Sequence, residues 1–168
     1  MTLVFREQLP ADAAAVTRVN DLAFGQPGES QLVARLIDGG WSRLSLVAEN
    51  DGQIVGHILF TTLPIVTANG IIPSLALAPM SVLPEFQSQR IGTQLVTRGL
   101  ELCRARGHKV VIVLGHPNLY PRFGFSATLA KPLDSPYAGE SFMAVELTPG
   151  ALNGIQGRVE YPPPFNEL

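Results

Sequence analysis

Apolar positions along the chain repeat first at one spacing and then at another, and each change marks an element. Residues 3–8 read as a first strand. Asp12 is placed as the cap of a helix over 12–23, with Ala13, Val16, Val19 and Leu22 on one face. Gly25-Gln26-Pro27-Gly28 is a loop. A second helix starts near Glu29, sets Leu32, Val33, Leu36 and Ile37 at helical spacing, and stops at Gly39-Gly40. Residues 44–49 and 54–62 alternate as two strands around the hairpin-type turn Asn50-Asp51-Gly52. The apolar run 71–82 predicts a further buried strand. Residues 87–106 predict a helix with Ile91, Leu95, Val96, Leu100 and Cys103 facing inward, closed by Gly107. Residues 110–114 are a strand covered on both sides, and 142–147 a late strand. Tyr161-Pro162-Pro163-Pro164-Phe165 favours extended polyproline geometry. This order predicts an α/β fold, a mixed sheet with helices on both faces.

Composition narrows the picture. A chain of 168 residues holds one compact domain, and with 46% hydrophobic and 15% charged residues it buries a core. No repeat or linker divides it, so residues 1–168 are one domain. A net charge of −2 says nothing about partners, and no basic stripe interleaved with aromatics supports nucleic-acid binding. The segment Met1 to Glu7 carries both charge signs and no apolar signal core. The most apolar stretch, 71–83, is short for a bilayer and is broken by Pro73 and Pro79. A cytoplasmic protein without a membrane partner is expected. The single cysteine, Cys103, forms no internal disulfide and fits a reducing compartment. No Cys/His cluster has ligand spacing, so no metal is expected.

The chemistry concentrates where the strand 71–82 meets the following helix, in Val82-Leu83-Pro84-Glu85-Phe86-Gln87-Ser88-Gln89-Arg90-Ile91-Gly92-Thr93. Backbone N–H groups at a helix start lack internal partners, and the helix dipole adds positive potential, so such a turn can bind phosphate without a lysine. A plain strand–helix connection has the same periodicity. The wording of the turn resembles the acetyl-CoA signature of the GNAT N-acetyltransferase family, V-x-P-x-x-(Q/R)-x-x-G-x-(G/A). Val82, Pro84, Gln87 and Gly92 match it. Arg90 replaces the first glycine. A residue entering a helix needs no positive φ, so arginine is expected to be sterically acceptable there. Its side chain either pairs with a phosphate or points into solvent.

The resemblance extends in both directions. In Leu75-Ala76-Leu77-Ala78-Pro79-Met80-Ser81-Val82, Pro79 suits a bulge or a splayed edge, since it has no ladder donor. The resemblance implies a mostly antiparallel sheet whose fourth and fifth strands, this one and 110–114, splay apart. The pantetheine arm would enter the gap and meet the backbone of Met80, Ser81 and Val82, while the amides of Gln87, Ser88, Gln89, Arg90, Ile91, Gly92 and Thr93 wrap the pyrophosphate. Downstream, Gly115-His116-Pro117-Asn118-Leu119-Tyr120-Pro121-Arg122-Phe123-Gly124-Phe125 resembles the family's Y-x-x-x-G-F turn. There the tyrosine protonates the leaving CoA thiolate, which assigns Tyr120 that role; the alternative is a ring that only packs. Asn118 is placed with the cofactor contacts. These segments and the tail are similar to a group of N-acetyltransferases of unassigned substrate.

The implied activity is direct transfer of an acetyl group from acetyl-CoA to a primary amine on a small molecule or protein, with an oxyanion donor near Val82. Cys103 lies on the apolar face of its helix and is read as structural. The strand 71–82 has no carboxylate to serve as base. His116 is placed in the site, and Glu29 and His57 remain alternatives. The acceptor side falls on 24–36 and 131–139. The proline-rich tail covers that cleft, forms a homodimer contact or is a packed end. No P-loop or G-x-G-x-x-G pattern is present. The competing functions are a non-catalytic acyl-CoA sensor and acyl transfer to a hydroxyl.

Overall fold

The computed structural model describes residues 2–167. Strand β1 (Leu3–Glu7) leads through a 3-10 turn (Pro10–Asp12) into α1 (Ala13–Phe24) and α2 (Gly28–Asp38). Next come β2 (Ser42–Asn50), β3 (Gln53–Thr62), β4 (Ile65–Thr67), β5 (Gly70–Ile72) and β6 (Leu75–Val82). Helix α3 (Ile91–Ala105) precedes β7 (Val110–Leu114), α4 (Ala127–Ala130), β8 (Leu133–Asp134), β9 (Phe142–Glu146), β10 (Gly157–Val159) and a closing 3-10 helix, Pro163–Glu167. A six-stranded sheet runs in the order β1-β2-β3-β6-β7-β9, antiparallel except for the parallel pair β6–β7. A four-stranded sheet, β5-β4-β10-β8, lies beside it. The fold is the expected α/β arrangement, a mostly antiparallel sheet flanked by helices.

Successive residues of β3 show how the layers form. His57 faces α1, where Asn20 reaches its ring, while Gly56 faces α3 and the side chains of Ile91 and Leu95. Strand β7 is buried on both faces: Val111 and Val113 join the main core, Val110 and Ile112 a second core with Leu133, Phe142 and Val159. Asp51 and Gly52 adopt φ of 51° and 83°, the left-handed pair that suits a tight hairpin turn between β2 and β3.

Several expectations change. Asp12 does not cap α1. Its carboxylate accepts from the Leu9 N–H and forms a bidentate pair with Arg6, which also binds Glu49. Hydrogen bonding from that guanidinium holds the Asp12 carboxyl below its ordinary pKa. The inner stripe of α1 is Val16, Val19 and Asn20, so Leu22 turns outward and is 48% exposed. The run 71–82 is not one strand. Gly70, at φ 127°, folds β4 and β5 into a hairpin, which leaves Ile71 on the surface before β6 begins. Leu114, at the end of β7, is exposed. The proline tail forms a 3-10 turn, since proline's fixed φ suits that geometry as well as the extended one. Its Phe165 is buried in the main core, so the tail is a packed end. Among the described residues no helix is long and apolar enough to cross a membrane.

Candidate active site

The site is built where the central sheet comes apart. Strands β6 and β7 pair at Leu75–Val111, Ala76–Ile112 and Leu77–Val113, and their pairing ends there. On the other edge of β6, Ile58 pairs with Met80 and Phe60 with Leu77, so Ala78 and Pro79 oppose a single residue of β3. This is a bulge, at the residue that has no N–H to give. Beyond it, the Leu83 N–H donates to the Val55 carbonyl (2.8 Å). By the alternation of an antiparallel ladder, Ser81 also directs its backbone to β3, and Met80 and Val82 direct theirs into the gap left by β7. Gln87 Nε2 donates to the Val82 carbonyl (3.1 Å), tying the following turn to the strand.

After a 3-10 turn at Pro84–Phe86, residues 87–90 are not helical. Ser88 and Arg90 have φ of 64° and 66°, and α3 starts only at Ile91. The expectation that Arg90 enters a helix with negative φ is therefore incorrect. Arg90 thus occupies a left-handed position, the kind that glycine adopts freely, at a conformational cost of roughly 1–2 kcal/mol. Among the described residues, the N–H groups of Ser88 through Thr93 have no acceptor, and the first helical N–H to find one is that of Gln94, which donates to the Arg90 carbonyl (3.1 Å). Left-handed residues between extended and helical ones turn successive N–H groups toward a common concavity, to which the start of α3 adds positive potential. The concavity is a cavity of about 190 Å³ lined by Met80, Val82, Gln87, Ser88, Arg90, Ile91, Gly92 and Thr93. Phe86, Val96, Leu119 and Phe123 complete it, and no carboxylate lines it.

Ser81 and Asn118 lie elsewhere, and of Gln89 only the backbone N–H belongs to the site, its side chain pointing away. Ser81 buries its side chain on the α1 face, where its hydroxyl has no partner. Gln89 is exposed and donates to the Glu85 carbonyl (3.4 Å). Asn118 is exposed and does not line the cavity. Phe86, Val96, Leu119 and Phe123 were not among the expected contacts; they stand at variable positions of the motifs or outside them, so no chemical signal in the sequence marks them.

Tyr120 is buried against Phe123 and Phe125, with ring centroids 6.3 and 5.6 Å away. Burial pushes its phenol pKa up, so the hydroxyl stays protonated at neutral pH. The ring lies over Gly115, where a Cβ would sit 2.3 Å from Cε2. Gly115, directly after β7, thus gives the ring its place. The Tyr120 N–H donates to the His116 carbonyl (3.2 Å), and the His116 side chain is open to solvent. Of the other base candidates, Glu29 accepts from Gln26 Nε2 at both oxygens (3.1 and 3.2 Å). His57 is fully buried, and desolvation lowers its pKa to about 3. Burial raises the Cys103 thiol to about 12, which leaves it unreactive. Among the described residues no cluster of three His, Cys, Asp or Glu is placed to hold a metal.

A divergent pair of parallel strands, with a turn of free amides at a helix start beside it, is suited to hold a long phosphorylated ligand. Comparison with known proteins agrees. Residues 5–128 match the acetyltransferase (GNAT) domain family. The chain is 32% identical over 169 residues to the uncharacterized N-acetyltransferase YhbS of Escherichia coli, covering 99% of this chain and 100% of that one. It is 42% identical over 120 residues to the E. coli N-acetyltransferase YjhQ, covering 68% of this chain and 65% of that one. The crystal structure of E. coli YhbS in complex with CoA superposes with a TM-score of 0.90 over 98% of this chain and 92% of that one. A GNAT acetyltransferase of Brucella melitensis in complex with acetyl-CoA, 32% identical, gives 0.83 over 98% of both. The chain belongs to the GNAT acetyltransferase family.

Proposed function

We propose that the protein transfers an acetyl group from acetyl-CoA to a primary amine by direct attack, without an acyl-enzyme. The observation that carries this is the run of N–H groups from Ser88 to Thr93, without acceptors among the described residues, beside the backbone of Met80 and the N–H of Val82 at the gap between β6 and β7. The cosubstrate supplies the acyl group as a reactive thioester. The residues present suit it: the amide concavity and Arg90 match a pyrophosphate, and the edge of β6 matches the amide groups of a pantetheine arm. Relatives 32% identical bind CoA and acetyl-CoA.

The N–H groups of Met80 and Val82 point into the gap and would receive the thioester oxygen as negative charge develops there. The amine nitrogen forms its bond to the acyl carbon, the C–S bond breaks, and Tyr120 gives its hydroxyl proton to the departing sulfur. His116, at the open end of β7, takes the proton that the ammonium must lose before it attacks, and the second proton, shed by the nitrogen once it is bonded to carbon, returns to the Tyr120 phenolate. Buried Cys103 is removed from the reaction path by position and by protonation.

The test is single-turnover transfer from labelled acetyl-CoA to a panel of amines and matched alcohols, with wild type and Tyr120→Phe. Amines should be acetylated and alcohols not, and the variant should lose about 100- to 10,000-fold in turnover at unchanged acetyl-CoA affinity. A loss below about threefold removes Tyr120 as the acid, because a general acid contributes at least about 100-fold. Transfer to alcohols alone overturns the amine assignment.

A further inference from the structure

A cavity of about 550 Å³ opens on the α1–α2 side of the sheet and shares no lining residue with the cofactor cavity. Its walls are branched aliphatic: Val16 on α1, and Val33 and Ile37 on α2. Its floor is polar. Ser45 Oγ donates to Gln8 Oε1 (2.6 Å) and lies 2.9 Å from Nε2 of the fully buried His57. A serine hydroxyl has one proton, and here it goes to Gln8, so His57 Nε2 donates to Ser45. The other ring nitrogen, Nδ1, accepts from Asn20 Nδ2 (3.3 Å), which fixes the neutral tautomer. Among the described residues, the two amide N–H groups of Gln8 and one lone pair of Ser45 have no partner.

The mouth carries charge of both signs. Arg43 and Arg106 both line the cavity, as does Asp38. Arg106 pairs with Glu7, whereas Arg43 donates only to the carbonyls of Gly40 and Ser42 (2.9 and 3.1 Å). Asp38, on α2, has no ion pair among the described residues. An aliphatic chamber with an unneutralised cation and anion at its rim complements an apolar zwitterion. The floor complements one amide group, since Gln8 donates to a carbonyl and Ser45 accepts from an N–H. A single amino acid has no such amide, whereas a dipeptide has one between two side chains and two charged ends.

We propose that this cavity is a second ligand site, distinct from the acetyl-transfer centre, which binds a dipeptide-sized zwitterion with aliphatic side chains. The carboxylate lies against Arg43, the ammonium against Asp38, and the central amide over Gln8 and Ser45. The site stands whether or not the acetyl-CoA reading holds.

The probe is leucyl-leucine, compared with leucyl-leucinamide, which lacks the carboxylate, and N-acetyl-leucyl-leucine, which lacks the ammonium. The chain has three histidines, so a side-chain ¹⁵N spectrum resolves His57 beneath the floor from exposed His116. Leucyl-leucine should shift the His57 ring signals, leave those of His116 in place and raise the melting temperature. Each blocked probe should bind at least about tenfold more weakly, a difference of about 1.4 kcal/mol. Ala34→Trp, at an exposed wall position on α2, should fill the cavity and abolish the response. Asp38→Asn, which alters only the rim, should weaken leucyl-leucine and leave N-acetyl-leucyl-leucine unaffected. Unmoved His57 signals at millimolar leucyl-leucine overturn the site. Equal binding of all three probes, or an undiminished response in both variants, overturns the zwitterion assignment.

Discussion

Replacing Gly115 with alanine tests whether Tyr120 acts as an acid or only packs. The added Cβ would meet Tyr120 Cε2 at 2.3 Å and Cδ2 at 2.6 Å. Carbon atoms rest about 3.5–4.0 Å apart, so the ring must retreat by roughly 1.2 Å or more. It cannot swing freely, because Phe123 and Phe125 hold its other side. Gly115 does not have a left-handed φ, so alanine imposes no backbone strain of its own and the effect is assigned to the ring. Overpacking of this kind costs about 1–3 kcal/mol, and each kcal/mol lowers Tm by about 2–4 °C in a chain of this size. Displacing a reacting group by about 1 Å costs on the order of 100-fold in rate, near 2.7 kcal/mol of barrier. Gly115→Ala should therefore melt several degrees lower and transfer acetyl about 100-fold more slowly, while its affinity for acetyl-CoA in calorimetry stays close to wild type. In a Tyr120→Phe background the same change should add little to the rate loss, since the proton donor is already gone. In a Tyr120→Leu background it should cost less stability, because a smaller side chain leaves room for the methyl. Full turnover by Gly115→Ala, with Tm lowered as expected, would refute the assignment of Tyr120 as the acid.

Arg90→Gly should raise the Tm of the free protein, because the left-handed backbone is released from a penalty of roughly 1–2 kcal/mol. If the guanidinium pairs with phosphate, the same variant should bind CoA more weakly, and calorimetry at low and high salt should show the gap narrowing as screening grows. His57 leaves a mark on the pH profile of stability. Its native pKa of about 3 lies below the unfolded value near 6.5, so between those limits only the unfolded chain binds the proton. Its contribution is complete above about pH 6.5 and falls by up to ~1.4 kcal/mol per pH unit as the solution is acidified toward pH 3. Urea titrations at stepped pH should show a shallower acid slope for His57→Gln than for wild type. Parallel slopes would mean that the ring is protonated in the native state.

Much of this was legible in the chain because local chemistry and tertiary packing agree. Asn50-Asp51-Gly52 announces its hairpin, α2 carries its stripe between glycine signals, and β7 is a run of β-branched residues bounded by polar ones. The cofactor turn was legible by resemblance, and its geometry was not. Ser88 and Arg90 are left-handed without being glycine, so nothing in their identity shifts the start of α3 to Ile91. Pattern reading failed where a distant partner decides. Asp12 serves Arg6 and Leu9 rather than α1, and the inner stripe of α1 includes Asn20 because His57 waits beneath it. The resemblance puts Ser81 among the cofactor contacts, yet ladder alternation turns both its backbone and its side chain away. Gly115 carried no signal at all, since its function is to be absent beneath a ring.

The divergence of β6 from β7 also bears on how the molecule holds together. Short parallel pairing at one end joins two half-sheets, β1-β2-β3-β6 and β7-β9, and below it the seam is open. Each half is tightly laddered within itself, whereas the line between them lacks the rungs that an uninterrupted sheet would have. A ligand arm lying along the edge of β6 occupies the place of the missing strand and supplies those rungs. The bound molecule is then part of the architecture, a removable beam across a joint. On the proposed assignment, each turnover would withdraw that beam and set another across the open seam between β6 and β7.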